Sequence, residues 1–229
     1  MLALLYDIHG NLPALDAVLE DAQARGATGF LLGGDYALFG PWPRETVVRL
    51  RELDATWIRG NGERWTANAA QAPDGEPVQG AIAACREALG EELVGGLAGL
   101  PEQVVIDGVR YCHASPISDV RSFLPEPEPD DAELLGGVHD ARLVFGHTHL
   151  PFRRIAGQHG GEVELVNPGS VGMPFDGDPR AAYALLDERR RVEHRRVAYD
   201  HGASARALRE RFAGEWVAIV ASRIERAAP

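Results

Sequence analysis

The residues most informative about the fold are Leu2-Ala3-Leu4-Leu5-Tyr6-Asp7-Ile8-His9-Gly10-Asn11, near the start of a 229-residue chain. Residues 2–6 form a short apolar run that predicts a buried strand, and the run ends directly at Asp7 and His9. In extended chain, side chains two residues apart lie on one face, so Asp7 and His9 point the same way. Apolar residues at helical spacing follow from Ala14 onward, which predicts a strand–loop–helix unit.

Further strands and helices alternate after this first unit. A second apolar strand, residues 30–32, ends at Gly33-Gly34-Asp35, and a third, residues 56–58, ends at Gly60-Asn61. Pro43 opens the helix between them, where proline suits the first turn. Alternation of this kind predicts an α/β fold with a largely parallel sheet.

The rest of the chain predicts two helical regions and a second group of strands. Helices are predicted over residues 76–99 and about 201–224, and strands over residues 102–106, 109–113, 143–145, 152–156, 162–166, 182–186 and 192–197. Asp107-Gly108 is a strong hairpin signal, and residues 157–161 are predicted to be a long hairpin loop. The strand-rich second half suggests a second sheet packed on the first.

Two segments bear on domain organisation. Pro125, Pro127 and Pro129 alternate with glutamate, which favours a stiff solvated connection over a domain linker. We therefore predict one domain over residues 1–229. The final helix is predicted as a single element, with Gly214 as a weak point, because apolar residues recur on one face at steps of four, four and three: Leu208, Phe212, Trp216 and Ile219. This helix could also pack on a second copy, so a homo-oligomer is an open prediction.

Composition narrows the classes of partner. The net charge is −11 at pH 7, which argues against broad electrostatic binding to nucleic acid or an anionic membrane. A phosphate ligand is still compatible, since bound metal ions reverse the field locally. Cys85 and Cys112 have no metal-site or redox spacing and are interpreted as buried thiols. The apolar run at the N-terminus is too short for a signal peptide or a membrane span, so a cytoplasmic protein is expected.

Polar residues of metal-binding type stand at the ends of the predicted strands. They are Asp7, His9, Asp35, Asn61, His113, His147 and His149. In an open α/β sheet, ligands bind outside the carboxyl ends of the strands, so one site can collect all seven. Imidazole suits Mn, Fe, Zn or Ni, and carboxylate and amide oxygens suit the harder of these ions. Each motif alone is weak evidence, but their joint occurrence predicts a metal site.

The order of these motifs resembles the calcineurin-like metallophosphoesterase family, in particular its small bacterial and archaeal phosphodiesterase branch. The resemblance rests on Asp7-x-His9, Gly34-Asp35, Gly60-Asn61, His113, Gly146-His147-x-His149 and Asn167-Pro168-Gly169-Ser170, and it covers about residues 2–197. It implies a four-layer α-β-β-α sandwich, with two mixed β-sheets packed face to face and helices outside. It also implies hydrolysis of a small phosphoester, most typically a diester, by a hydroxide that bridges two metal ions.

The resemblance assigns the ligands residue by residue. One metal falls to Asp7, His9, Asp35 and His149, and the other to Asp35, Asn61, His113 and His147, with Asp35 as the bridge. Two divalent cations are implied, with Mn as the first expectation and Fe, Zn or Ni as alternatives. Asn61 and His113 are also predicted to have catalytic roles.

One position departs from the family pattern. Many family members have a histidine, thought to protonate the leaving group, where this chain has Gly62. The general acid is therefore in doubt, and we expect a preference for good leaving groups. Arg64 is a candidate contact for phosphate, although a solvated role also explains it. Asn11 is a second candidate substrate contact, although helix capping alone would explain it.

The missing histidine also keeps a second class of function open. A protein-interaction scaffold of the same fold would need no catalysis, but a pure scaffold need not retain all seven ligand residues. A hydrolase that uses the same metals on another bond is a third possibility, which no residue supports specifically.

Overall fold

Two five-stranded sheets form the framework of the computed structural model, which describes residues 1–158 and 161–229. The first sheet contains β1 (Leu2–Leu5), β2 (Gly29–Leu32), β3 (Ala55–Trp57), β9 (Ala181–Leu186) and β10 (Val192–Val197). Its strand order is β10-β9-β1-β2-β3. The strands β1, β2 and β3 are parallel, and β9 and β10 are antiparallel to their neighbours.

The second sheet is also mixed. It contains β4 (Gln103–Ile106), β5 (Val109–Cys112), β6 (Arg142–Val144), β7 (Phe152–Gln158) and β8 (Gly161–Asn167), in the order β4-β5-β6-β8-β7. The central strands β5, β6 and β8 are parallel, and the two edge strands pair in antiparallel fashion. Two mixed sheets in one α/β fold confirm the predicted fold class.

The helices lie mainly on the first sheet. They are α1 (Leu12–Ala24), α2 (Pro43–Leu50), α3 (Asn61–Ala67), α4 (Glu76–Leu89), α5 (Glu91–Ala98), α6 (Asp131–Leu134), α7 (His201–Arg211) and α8 (Glu215–Arg226). Alternation along β1 explains the layering, because Ala3 and Leu5 join the core shared with the helices, whereas Leu4 joins the core between the sheets. Burial of each such leucine contributes about 1.5–3 kcal/mol.

The outer face of the second sheet has a thinner cover. Leu143 and Phe145 pack against Phe123, Leu134 and Leu135, which come from the segment around α6. This side of the sandwich is therefore closed by one four-residue helix and its flanking loops.

The predicted hairpin turn is confirmed. Asp107 and Gly108 both adopt positive φ, at 51° and 73°, as a type I′ turn requires. The predicted loop over residues 157–161 is mostly strand, because β7 extends to Gln158 and β8 starts at Gly161. Its middle residues, His159 and Gly160, lie outside the described residues.

The single C-terminal helix is a wrong prediction. The segment forms two helices, α7 and α8, because Gly214 has φ 115° and ψ 164°, which no α-helix allows. The break also changes the phase of the apolar face. Trp216 is buried as predicted, but Ile219 is 40% exposed. Within the described residues, no helix is long and apolar enough to cross a membrane.

Candidate metal centre

Loops at the ends of the central strands bring the seven predicted ligand residues together. Asp7 and His9 follow β1, Asp35 follows β2, Asn61 follows β3 and opens α3, His113 follows β5, and His147 and His149 follow β6. Six of the seven are buried, and His147 is partly exposed. The two sheets thus contribute to a single site at one edge of the sandwich.

The backbone of this site is unusual. Five of the seven residues have left-handed backbone conformations, namely Asp7 (φ 52°), His9 (φ 47°), Asp35 (φ 56°), His147 (φ 67°) and His149 (φ 59°). Such conformations are uncommon outside glycine and cluster at functional sites, where the surrounding structure must hold them. They turn the chain sharply after each strand, so that side chains two residues apart face one centre.

The first cluster contains His9, His149 and Asp7, whose ligand atoms all lie within 4.8 Å of one another. The Nε2 atoms of His9 and His149 are 3.0 Å apart. Asp7 Oδ1 lies 3.6 Å from His149 Nε2. These are three of the four residues that the resemblance assigns to one metal.

The tautomers in this cluster follow from the backbone. His9 Nδ1 lies 2.9 Å from the carbonyl of Leu38, and His149 Nδ1 lies 2.5 Å from the carbonyl of Met173. A carbonyl only accepts, so each Nδ1 donates its proton, and each Nε2 of a neutral ring carries a lone pair. The two Nε2 atoms therefore face each other as acceptors, which is unfavourable unless a cation lies between them. Fixing the ring through the other nitrogen is also the usual arrangement of metal-binding histidines.

The second cluster contains Asp35, His113 and Asp7, again with ligand atoms within 4.8 Å. His113 Nδ1 lies 2.8 Å from the carbonyl of Gly33, which directs Nε2 into the site. Asp35 Oδ1 lies 3.5 Å from this Nε2, and Asp7 Oδ1 lies 3.9 Å from it.

Asn61 lies between His113 and His147. Its Oδ1 is 3.0 Å from His113 Nε2. Turned by half a rotation, the amide nitrogen would instead donate to His147 Nδ1 at 2.9 Å and to the carbonyl of Asp119 at 3.1 Å. The protein groups alone favour that rotated amide, whereas a metal ligand role requires Oδ1 to face the cation.

Two carboxylates lie between the clusters. Asp35 directs Oδ1 toward His113 and Oδ2 toward His9, which lies 3.9 Å away, as a bridging ligand must. Asp7 is the member common to both clusters, although the resemblance assigns the bridge to Asp35 alone. Asp7 Oδ1 is buried and has no hydrogen-bond partner among the described residues. A buried, unpaired carboxylate oxygen is costly, and a cation would supply what it lacks.

The electrostatics of the site also call for positive charge. Burial lowers the pKa of His149 well below its ordinary value and lowers the pKa of His147 to about 4, so both rings are neutral ligands at pH 7. Burial raises the pKa of Asp7 to about 8. Burial lowers the pKa of His113, but Asp35 and Asp7 outweigh it and leave that pKa above its ordinary value. His113 is thus the only one of the site's four histidines whose pKa is raised, and a cation would take over the roles of its proton and of the proton that burial favours on Asp7.

Glu63 organises the site, a role that sequence reasoning missed. Its carboxylate is buried and accepts hydrogen bonds from the backbone nitrogens of Asp35 at 2.9 Å, Tyr36 at 2.8 Å and Gly60 at 2.8 Å. It therefore joins the loop after β2 to the start of α3, the segments that hold Asp35 and Asn61. The available signal was a glutamate at the third position of a helix, where it can reach back to the cap backbone.

The segment around Ser170 holds the other side of the site. Ser170 Oγ donates to the carbonyl of Asp7 at 2.7 Å and accepts from the nitrogen of Met173. Asn167 donates to the carbonyl of Gly146 at 3.1 Å. These contacts fix the backbone on either side of the ligands, and none of them involves a ligand side-chain atom.

The two predicted substrate contacts have different surroundings. Asn11 is buried and donates to the carbonyl of Gly172 and to the hydroxyl of Tyr199, while its Oδ1 accepts from Ser204. It stands at the helix N-cap position but makes no capping bond with its side chain. The capping role of Asn11 is therefore a wrong prediction, because its amide binds Gly172, Tyr199 and Ser204 instead, while its substrate contact stays a prediction.

Arg64 stands beside the metal cluster. It makes two hydrogen bonds of 2.6 Å to the carboxylate of Asp119. Both residues line a cavity of about 310 Å³, together with His113, Ser115 and Ser118. Arg64 therefore borders a cavity beside His113, but its charge is already paired.

The arrangement suits one or two divalent cations of intermediate hardness. Imidazole nitrogens, carboxylate oxygens and an amide oxygen converge, and no cysteine lies in either cluster of the described residues. Such a centre can bind a phosphoryl group and activate water beside it.

Comparison with known proteins agrees with this geometry. The family model of the calcineurin-like phosphoesterase superfamily domain matches residues 1–191. An uncharacterized protein of Methanocaldococcus jannaschii is 30% identical in an alignment of 236 positions that covers 95% of this chain and 95% of that protein. The phosphodiesterase YfcE of Escherichia coli K12 is 30% identical in an alignment of 200 positions that covers 82% of this chain and 88% of that protein.

Solved structures extend the likeness to the whole chain. A metallophosphoesterase from Sphaerobacter thermophilus has a TM-score of 0.82 at 26% identity and covers 99% of this chain and 98% of its own. A hypothetical protein from Pyrococcus horikoshii, at 23% identity and a TM-score of 0.77, covers 96% of this chain and 98% of its own and shares the fold. With a family model over most of its length, this chain belongs to the calcineurin-like phosphoesterase superfamily.

Proposed function

We propose that this protein is a metal-dependent phosphodiesterase that uses two divalent cations, Mn²⁺ first among them. Membership of the phosphoesterase superfamily and 30% identity to a phosphodiesterase support the reaction class. The choice of a diester, the number of ions and the identity of the metal are our inferences from the site.

One observation carries the proposal. His9 and His149 direct Nε2 at each other across 3.0 Å, although the backbone holds both protons on Nδ1. Burial favours the neutral form of both rings, so the gap contains two lone pairs and no proton. A metal ion satisfies both nitrogens at once, together with the unpaired Oδ1 of Asp7.

The ligands divide into two sets. Asp7, His9, Asp35 and His149 would hold one cation, and Asp35, Asn61, His113 and His147 the other. When bound, the two cations would lower the pKa of a water molecule, to give a hydroxide nucleophile, and neutralise charge on the phosphoryl oxygens. The chain's own part is to hold these side chains in place. Asp35 is the shared carboxylate, with Oδ2 toward His9 and Oδ1 toward His113.

Asn61 and His113 have proposed catalytic roles because His113 borders the open side of the centre and Asn61 Oδ1 lies 3.0 Å from its Nε2. The ring of His113 is oriented by Gly33 and borders the cavity that contains Arg64. A small phosphoester substrate would enter from this cavity, and Arg64 would contact it once its ion pair with Asp119 is broken.

The absence of a side chain at position 62 shapes the chemistry. The backbone nitrogen of Gly62 donates to Asp35 Oδ1 at 2.7 Å, and a Cβ atom there would lie 2.8 Å from the same oxygen. Position 62 thus supports Asp35 and supplies no proton to a leaving group. We propose that the enzyme acts on substrates whose leaving groups depart without strong acid assistance, such as activated diesters or anhydrides.

The test is hydrolysis of bis-p-nitrophenyl phosphate by the chelator-treated protein, before and after Mn²⁺ is added. We expect turnover only with metal, and at least about a 100-fold loss in H149Q. The matched control is H139Q, because His139 is exposed and belongs to neither metal cluster. Equal activity with and without metal, or equal loss in both variants, would reject the proposal. Metal binding without any turnover would favour the scaffold instead.

A further inference from the structure

Arg223 lies near the metal centre but belongs to α8, outside residues 1–191 of the family match. Its guanidinium carbon is 5.9 Å from the centroid of the Phe175 ring. Phe175 in turn stacks on the imidazole of His149, with centroids 4.3 Å apart and planes inclined by 21°. The C-terminal helix thus places a positive charge one aromatic layer away from a predicted metal ligand.

The charge of Arg223 is unpaired although its side chain is partly buried, whereas the other unpaired arginines of the described residues, Arg51, Arg189 and Arg226, are exposed. All 23 basic residues are arginines, and most of them pair with a carboxylate or a carbonyl. Arg223 Nε is buried with no hydrogen-bond partner, and residues 1–158 and 161–229 supply no carboxylate partner to the guanidinium. Arg142 and Arg195 also have an unpaired buried nitrogen, but each of them binds a carboxylate through another one.

An unpaired guanidinium is expensive to hold in a partly buried position. The side chain is only partly exposed, and its contact with Phe175 compensates for lost hydration only in part. In a chain with a net charge of −11, carboxylates to pair with it were plentiful. A guanidinium left free beside a phosphate-binding centre is ready to make forked hydrogen bonds to an anion.

We propose that Arg223 binds a second anionic group of the substrate, adjacent to the phosphate held by the metals. This inference rests on the proposed function, because it requires a phosphate at the metal centre. The ring of Phe175 separates Arg223 from His149, which favours a neighbouring group over the scissile phosphate itself. The substrate class is therefore a phosphoester with a further phosphate or carboxylate, such as a phosphoanhydride chain.

The experiment compares inorganic pyrophosphate with orthophosphate as probes of the metal-loaded protein. Binding is measured by calorimetry at one fixed free Mn²⁺ concentration, so that chelation by the probe is equal for all variants. In R223Q we expect pyrophosphate to bind about 10- to 100-fold more weakly, while orthophosphate binding changes by less than about threefold. In R223K, which keeps the charge but loses the forked pair of donors, we expect pyrophosphate affinity to lie between those of R223Q and the wild type.

R226Q is the matched control. Arg226 is three residues further along α8, exposed, and also in the last turn, so its loss changes net charge and helix-end electrostatics equally. We expect R226Q to bind both probes like the wild type. Melting temperatures identify a variant that fails to fold. If R223Q fails to fold, R223K decides instead, through the ratio of its pyrophosphate affinity to its orthophosphate affinity.

The outcomes separate this inference from the proposed function. If R223Q weakens both probes equally, weakens neither, or if no variant binds pyrophosphate, the inference is wrong even when metal-dependent hydrolysis is intact. If pyrophosphate binding depends on Arg223 but no phosphoester is hydrolysed, the proposed function fails and the anion site stands.

Discussion

His9 and His149, which are 140 positions apart in the chain, place their Nε2 atoms 3.0 Å from each other with both Nδ1 protons held by backbone carbonyls. Two imidazoles arranged in this way repel in the absence of a shared cation. We therefore expect that metal removal destabilises the protein and that Mn²⁺ raises its melting temperature. In H9Q the increase should shrink, whereas H139Q should keep it. A melting temperature that changes neither with chelator nor with Mn²⁺ would contradict this prediction.

Glu63 should act as a positioning residue. In E63Q one of its oxygens becomes an amide nitrogen, which opposes a backbone donor in a buried place. We expect a loss of about 1–3 kcal/mol in the free energy of unfolding, measured by urea denaturation. Metal affinity should fall about 10- to 100-fold, since the loops that hold Asp35 and Asn61 lose their common anchor.

E87Q is the control for this substitution. Glu87 lies on α4 and is exposed, so the same chemical change should alter the free energy of unfolding by less than about 0.5 kcal/mol. If E63Q retained wild-type metal affinity, Glu63 would be only a structural residue.

Gly62 should not tolerate a side chain. In G62A the new Cβ atom would meet Asp35 Oδ1 at 2.8 Å, so we expect metal affinity to fall by at least about tenfold. G95A is the contrasting change, because Gly95 lies within α5 and its added Cβ would meet no described atom within 4 Å. It should stabilise the protein by about 0.5–1 kcal/mol without a change in metal binding. Calorimetric titration with Mn²⁺ measures the metal affinity of both variants, and urea denaturation measures the stability of G95A. A G62A protein with normal metal affinity would disprove the contact between Cβ and Asp35 Oδ1.

The leaving group should determine the rate. Because Gly62 offers no proton, kcat for a series of aryl phosphodiesters should fall steeply as the pKa of the departing phenol rises. A rate that is independent of this pKa would show that another group donates the proton, or that chemistry does not limit turnover.

Asn11 should matter to the fold and not to the chemistry. In S204A the buried Oδ1 of Asn11 loses its donor, so we expect a cost of about 1–3 kcal/mol in stability with kcat and KM unchanged. S222A, at a partly exposed position of α8, should have little effect on either. A selective increase of KM in S204A would instead support the predicted contact between Asn11 and substrate.

Several of these features could be predicted from the sequence alone, for identifiable reasons. Apolar runs that end in Asp7-x-His9, Gly34-Asp35 and Gly60-Asn61 predicted both the parallel strands and the edge where their ligands meet. The type I′ turn at Asp107-Gly108 was also predictable, because it depends on local chemistry. Strand ends and tight turns of this kind depend mainly on residues that are neighbours in the sequence.

Other features depend on contacts between distant residues, which no local pattern contains. Asn11 looked like a helix cap until Tyr199 and Ser204 were found around its amide. The break between α7 and α8 is also not predictable from apolar spacing, because that spacing continues across Gly214, whereas its φ of 115° ends the helix. The role of Glu63 and the approach of Arg223 to Phe175 likewise required the tertiary structure.

The metal content of the purified chain shows whether the seven residues form a dinuclear metal centre. The protein is stripped with chelator, reloaded with Mn²⁺, freed of excess ion and analysed by mass spectrometry of the metal against protein concentration. We predict about two ions per chain for the wild type and a clear loss in H149Q, with H139Q unchanged. If the wild-type protein retains no metal, or if the wild type and H149Q retain equal amounts, these residues do not form such a centre.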